Sequence, residues 1–157
     1  MISSERKKYS NEIGLQTENL FEKIMQQRGN KVIKSSKHDD IHKHIDFYVN
    51  GFGVDVKGGR HLECIWLETT NVLGNDGWLN GEADFIAFDI VELNSFSIYN
   101  RNDLLNFTKA ITEITETKED FLKIYSRTKW GRKDQLIKCR YNDIKHLEKQ
   151  IIKYERK

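Results

Sequence analysis

The chain has no proline among its 157 residues, only two cysteines and no long apolar run. Without a repeat, a low-complexity tract or a linker, we expect one domain over residues 1–157. Cys64 and Cys139 are far apart and lack metal-ligand spacing, so no disulfide framework is expected. No segment approaches the ~20 apolar residues that cross a bilayer, and no charged-then-apolar leader precedes the first helix pattern. We therefore expect a soluble, cytoplasmic protein without a membrane function.

The chain has a formal net charge of +2, but its charged residues are unevenly distributed along the sequence. From residue 121 onward there are twelve Lys or Arg against four Asp or Glu, and before it fourteen against twenty, which gives +8 and −6. A basic segment on an acidic body suits an enzyme that binds a polyanion and holds a metal ion, because phosphates attract cations and metals need carboxylates. A solvated helical face would have the same composition.

Hydrophobic periodicity predicts helices around a sheet. Apolar residues recur at helical spacing over residues 11–28, and Gly29 provides a stop. Strand patterns follow, separated by the stretch KHDDIHK, which reads as a loop. Later segments predict a helix in RNDLLNFTKAITEI, a strand in DQLIKCRY and a closing helix from about residue 142. This order predicts an α/β (α+β) domain with a mixed central sheet flanked by helices.

Two strand patterns in HIDFYVNGFGVDVKGG each carry a carboxylate. If Asn-Gly closes them into a hairpin, Asp46 and Asp55 point to the same side of neighbouring strands. Such close carboxylates need a cation, and oxygen ligands suit Mg²⁺ or Mn²⁺, with the Val56 carbonyl as a further ligand. Lys57 would then orient or deprotonate an attacking water, or offset charge in the transition state. An ordinary Asp–Lys ion pair on a solvated hairpin is the alternative.

The upstream segment GLQTENLFEKIMQQRGNKVIKSS contains G-x-x-x-E-x-x-F, then a glycine-terminated helix and a strand. With Asp46 and Asp55-x-Lys57 after it, the chain resembles the PD-(D/E)XK nuclease superfamily over about the first sixty residues, in an order similar to archaeal Holliday-junction resolvases. The resemblance implies a restriction-endonuclease-like αβββαβ core, with Asp46 and Asp55 as acidic ligands, Lys57 as the motif lysine and Glu18 as the helix carboxylate. Ile45 stands where the superfamily's name has proline.

Other residues are candidates with open alternatives. Glu18 borders the apolar helix face, although it could be a surface glutamate. Glu68 shares a strand face with Trp66 and is either an additional metal carboxylate or an edge-strand glutamate. The stretch HDDIHKH has zinc-ligand residue types without a zinc spacing, and His44 within it could instead contact substrate.

Aromatic and basic residues suggest contacts with nucleic acid. Trp78, between glycines, either caps the core or stacks on a base. The segment KIYSRTKWGRKDQ mixes cations with aromatics, as phosphate contact and stacking require; its candidates are Arg127, Lys129, Trp130, Arg132 and Lys133. We interpret residues 121–157 as a nucleic-acid-binding extension of the domain.

Together with the resemblance, these patterns predict a metal-dependent nuclease that hydrolyses phosphodiester bonds in DNA. The resemblance implies an endonuclease of junction-resolving type, with a nicking enzyme as the near alternative. RNA is an alternative substrate, and a homodimer would suit an enzyme that cuts both strands. The rival hypothesis is a catalytically inactive nucleic-acid-binding or interaction module with the same fold.

Overall fold

The computed structural model describes residues 3–126 and 131–155, with side chains from residue 11 onward in those ranges. Its α-helices are α1 (Ser3–Gln27), α2 (Lys37–Lys43), α3 (Arg101–Lys109) and α4 (Tyr141–Ile144). Its strands are β1 (Val32–Lys34), β2 (Phe47–Val49), β3 (Phe52–Arg60), β4 (Ile65–Thr70), β5 (Phe85–Ile90), β6 (Ser95–Asn100), β7 (Ile114–Thr115), β8 (Ile124–Ser126), β9 (Gln135–Cys139) and β10 (Glu148–Lys153).

The strands form two mixed sheets. The larger has the order β1-β2-β3-β5-β6-β10, in which β3 and β5 are parallel and the other neighbours antiparallel. The smaller has the order β4-β9-β8-β7, with β7 parallel to β8. The predicted mixed α+β class is confirmed, whereas the restriction-endonuclease-like core stays a prediction.

Two apolar cores hold these layers together. On one face of the larger sheet, Phe21 and Met25 of α1 pack with Val54 and Val56 of β3. The opposite face contributes side chains such as Phe88 to a second core, which lies between the two sheets. Because strand side chains alternate, residues 55 and 57 of β3 belong to the face of the second core.

The hairpin predicted from the sequence is present. β2 and β3 are antiparallel, with Phe47 opposite Val54 and Val49 opposite Phe52. The two residues between them, Asn50 and Gly51, have φ values of 51° and 89°. Positive φ at both turn positions is what a type I′ hairpin requires, and Asn-Gly is the sequence that tolerates it best.

Three segments differ from the sequence prediction. The helix predicted in RNDLLNFTKAITEI is shorter than expected, since α3 ends at Lys109 and Ile114 begins β7. The presumed loop KHDDIHK forms α2, because the Ser36 side chain caps it by accepting a hydrogen bond from Asp39 N at 3.1 Å. The closing helix ends at Ile144, and the chain continues through a 3₁₀ turn into β10. There Ile152 pairs with Phe96 of β6 and is buried, so packing on the sheet overrides the local helical pattern.

The basic segment from residue 121 contributes to both sheets. It supplies β8 and β9 of the smaller sheet and β10 at the edge of the larger one. Its role in binding nucleic acid stays a prediction. Among the helices in the described part of the chain, none is long and apolar enough to cross a membrane.

Candidate active site

The predicted catalytic residues meet at the end of the β2–β3 hairpin opposite its turn. Asp46 directly precedes β2, and its main-chain N donates to Val54 O at 2.9 Å. Its carboxylate reaches β3, where Val56 N donates to Asp46 Oδ2 at 2.7 Å. Glu18 approaches from α1 and shares a hydrogen bond with the Asp46 carboxyl group. The hairpin register therefore brings Asp46 beside the strand that carries Asp55.

Asp55 is the most deeply buried carboxylate of the group, at 2% exposure. Its Oδ1 lies 3.3 Å from Lys57 Nζ. Its Oδ2 is buried and accepts no hydrogen bond from any residue in the described part of the chain. Because an unpaired buried polar atom is unfavourable, this oxygen suits a ligand or a cation.

Lys57 is held on two sides. Besides its contact with Asp55, its Nζ lies 5.1 Å from the centroid of the Trp78 ring, a distance at which a cation is attracted to the ring face. Trp78 itself is 6% exposed and belongs to the core between the sheets. Of its two predicted roles, the core role is confirmed, and the tryptophan also orients the motif lysine.

Burial raises the proton affinity of the whole carboxyl cluster. It raises the pKa of Glu18 to about 8, with further increases from the hydrogen bond and charge of Asp46. Burial, reinforced by Asp46, also raises the pKa of Asp40 to about 6. The pKa values of Asp46 and Asp55 are raised by burial too, although Lys57 opposes the rise at Asp55. Protons or a bound cation would therefore neutralise these carboxyl groups.

Asp40, from the stretch HDDIHKH whose residue types also suit zinc, is a further member of the cluster. It lies on α2 within hydrogen-bonding reach of Asp46. The Ser36 cap was the signal that could have predicted α2 and hence the position of Asp40. His44 ends this helix in the left-handed conformation, with φ of 56°, and its charge lowers the pKa of Asp40. His44 is therefore near the cluster, at its edge.

Asp46 and Asp55 offer carboxylate oxygens, which are the ligands that a magnesium ion takes. Within residues 11–126 and 131–155, no group of three or more His, Cys, Asp or Glu side chains is arranged to hold a metal ion. A protein zinc site is built from such a group, whereas Mg²⁺ takes one or two carboxylates and completes its shell with waters and substrate phosphates. Asp46 and Asp55, with the unpaired Oδ2 of Asp55, match the second pattern.

A cavity of about 440 Å³ opens beside the carboxylates. Residues of α1 form one wall and the end of β3 forms the other; the lining comprises Ile13, Gly14, Glu18, Asp46, Val56, Lys57, Gly58, Gly59 and Arg60. Asp55 is buried and is not among these lining residues. The cavity therefore gives a substrate access to Glu18, Asp46 and Lys57 together.

Of the remaining candidates, those that the structure describes are not among the cavity-lining residues. Glu68 is half-buried on β4 of the smaller sheet, where its charge raises the pKa of Arg60 against the lowering effect of burial. Arg132 Nε lies 3.6 Å from Asp134 Oδ1. Lys133 is exposed, and its main-chain N donates to Val72 O in the loop after β4. The candidates Arg127, Lys129 and Trp130 lie outside the described residues.

Comparison of the chain with protein-family models, curated proteins and solved structures finds no match. The resemblance to the PD-(D/E)XK superfamily therefore stays a prediction from the sequence motifs. The chemistry of the site has to be inferred from its own residues.

Proposed function

We propose that this chain is a metal-dependent nuclease that hydrolyses phosphodiester bonds in DNA. The unpaired, buried Oδ2 of Asp55 carries the proposal. This oxygen belongs to the strand that also bears Lys57, and it can act as a hard ligand. A second carboxylate, that of Asp46, lies next to it. Carboxylates of this kind suit Mg²⁺ or Mn²⁺ in phosphoryl chemistry.

Asp46 and Asp55 would hold the metal ion, with the Val56 carbonyl as a further oxygen ligand. When bound, the ion supplies Lewis-acid polarisation of the phosphate and neutralises its charge. The Val56 N–H fixes the Asp46 carboxylate through a 2.7 Å hydrogen bond. Glu18 orients the same carboxylate from α1. These contacts keep the ligand atoms in position without the substrate.

Lys57 would act on the attacking water or on the developing charge. Its ammonium group is fixed between Asp55 Oδ1 and the Trp78 ring, at the wall of the cavity. The ammonium group held there can orient a water molecule or stabilise the charge of the transition state. The neutral amine of Lys57 could instead accept a proton from that water. Asp46 and Lys57 both line the cavity, which supports a shared role in one reaction.

The substrate class is inferred from charge and from the sequence resemblance. The segment from residue 121 has a net charge of +8, which suits a nucleic acid backbone. Junction-resolving or nicking cleavage of DNA is the specific activity that the motif order favours. A homodimer would allow both strands of a duplex to be cut.

The first experiment is cleavage of labelled supercoiled, linear and four-way-junction DNA, and of an RNA control, with Mg²⁺ and with EDTA. We expect cleavage to require the metal. Lys57→Ala and Asp55→Asn should each lower kcat/KM by about a hundredfold or more. Lys109→Ala and Glu119→Gln, at exposed positions, are the matched controls and should cleave normally.

Two results would contradict the proposal. Cleavage that persists in EDTA would contradict the metal requirement. Equal cleavage by Lys57→Ala and wild type would contradict the catalytic role of Lys57. If wild type binds DNA, cleaves neither DNA nor RNA, and keeps its affinity when Asp46 and Asp55 are replaced, the inactive binding module is the correct function.

A further inference from the structure

Arg60 is a cationic residue of the cavity, and the proposed reaction assigns it no role. Between the pairs Lys57–Phe88 and Arg60–Ile90, three residue steps on β3 oppose two on β5. This bulge returns Arg60 to the face of Lys57, whereas an uninterrupted strand would direct it to the opposite face. Gly59 permits the bulge, because its φ of 64° is in the left-handed region that favours glycine.

The Arg60 side chain lines the cavity and retains an unused donor. Its Nη1 donates to Gly58 O at 2.7 Å. Its Nε is buried and has no hydrogen-bond partner among the residues for which the structure gives side chains. Burial lowers the pKa of Arg60, and the charges of Asp55, Cys64 and Glu68 oppose that effect. The guanidinium is charged because arginine is not deprotonated in proteins.

A charged guanidinium with a free donor, at the wall of a cavity shared with Lys57, has the properties of an anion subsite. We propose that Arg60 binds a phosphate group of the nucleic acid substrate in this cavity. The inference rests on the proposed function for the identity of the ligand. Among the cavity residues that the structure describes, Lys57 contacts Asp55, whereas Arg60 Nε has no hydrogen-bond partner.

Binding of a labelled DNA oligonucleotide to the full chain, with Ca²⁺ in place of Mg²⁺ and over a series of salt concentrations, tests the subsite. Arg60→Gln should weaken binding about ten- to a hundredfold and reduce the salt slope by about one counterion. Arg60→Lys should keep the slope but lose several-fold in affinity, because lysine cannot bind phosphate with two donors. Arg28→Gln makes the same charge change at an exposed position and should leave the slope unchanged.

The outcomes separate this inference from the proposed function. Equal slopes and affinities in Arg60→Gln and Arg28→Gln would mean that Arg60 only balances the charge of Asp55 and Glu68, and the subsite would be wrong even if the chain cleaves DNA. A reduced slope without any cleavage would support the subsite and refute the nuclease. If Arg60→Gln does not fold, the DNA affinity of Arg60→Lys tests the subsite instead. An affinity equal to that of wild type would contradict the subsite. No binding by wild type overturns both proposals.

Discussion

Single carboxyl groups determine how the candidate site responds to pH. Glu18 and Asp46 lie close enough to share a proton, and burial disfavours the charged form of both. A cation bound as proposed would therefore compete with protons for these oxygens. Metal binding should strengthen as pH rises, because Asp46 and Asp55 must be deprotonated to act as ligands.

Glu18→Gln should stabilise the metal-free protein at high pH. Folding raises the pKa of Glu18 from 4.5 to about 8, so between these values the folded chain holds a proton that the unfolded chain lacks. The contribution of Glu18 to the free energy of unfolding is therefore fully present below pH 4.5 and is lost as pH rises through about 8. Glutamine resembles the protonated form at every pH.

Thermal unfolding in EDTA at about pH 5 and about pH 9 measures this effect. Glu18→Gln should melt a few degrees above wild type at the higher pH and close to it at the lower pH. Glu12→Gln, on the same helix at an exposed position, is the control. An equal shift at both pH values would show that the Glu18 carboxyl does not titrate as its surroundings indicate.

The contact between α1 and β3 depends on one glycine. A Cβ atom at Gly58 would overlap the hydroxyl of Thr17, which is buried on the inner side of α1. The next residue of the helix, Glu18, reaches Asp46. The absence of a side chain at Gly58 therefore sets how closely the helix carboxylate approaches the hairpin.

Gly58→Ala should move α1 away from β3. We expect a loss of about 1–3 kcal/mol in the free energy of unfolding, because the added methyl group overpacks the contact. Gly14→Ala, within α1, has no atom within 4 Å of the added Cβ. It should stabilise the chain by about 0.5–1 kcal/mol, because alanine favours a helix more than glycine does. Urea unfolding compares the two. Wild-type stability in Gly58→Ala would mean that α1 adapts without cost.

At the scale of the whole molecule, the basic segment from residue 121 supplies strands to both sheets. β10 pairs with β6, while β9 of the same C-terminal segment pairs with β4 of the other sheet. Tyr154, after β10, packs its ring on Phe96 with centroids 5.3 Å apart. The basic segment is thus part of the fold and not a separate appendage to it.

Two neighbouring isoleucines test this integration. Ile152 is 1% exposed, whereas Ile151 is 40% exposed on the same strand. Ile152→Ala should lower the free energy of unfolding by about 2–4 kcal/mol, because it leaves a cavity in the core. Ile151→Ala should change it by about 0.5 kcal/mol. If denaturant unfolding gives equal losses, β10 does not pack on the sheet as described.

Local chemistry explains which features could be predicted from the sequence. The hairpin followed from Asn50–Gly51 and strand alternation, and it was enough to bring Asp46 and Asp55 together. β10 could not be predicted, because its residues form a strand only through pairing with β6, some fifty residues earlier in the chain. The position of Arg60 depends on a bulge that is visible only in the register of β3 against β5.

The two-residue turn between β2 and β3 also affects the order of folding. Closing so short a loop has a small entropic penalty, and hairpins form within about 1–10 μs. Asp46 and Asp55 can therefore meet early, while water still screens their charges. We expect the burial of Asp55 to follow, with the distant contacts of the second core. If the proposed cation recognises only the finished site, it should slow unfolding and leave the folding rate unchanged.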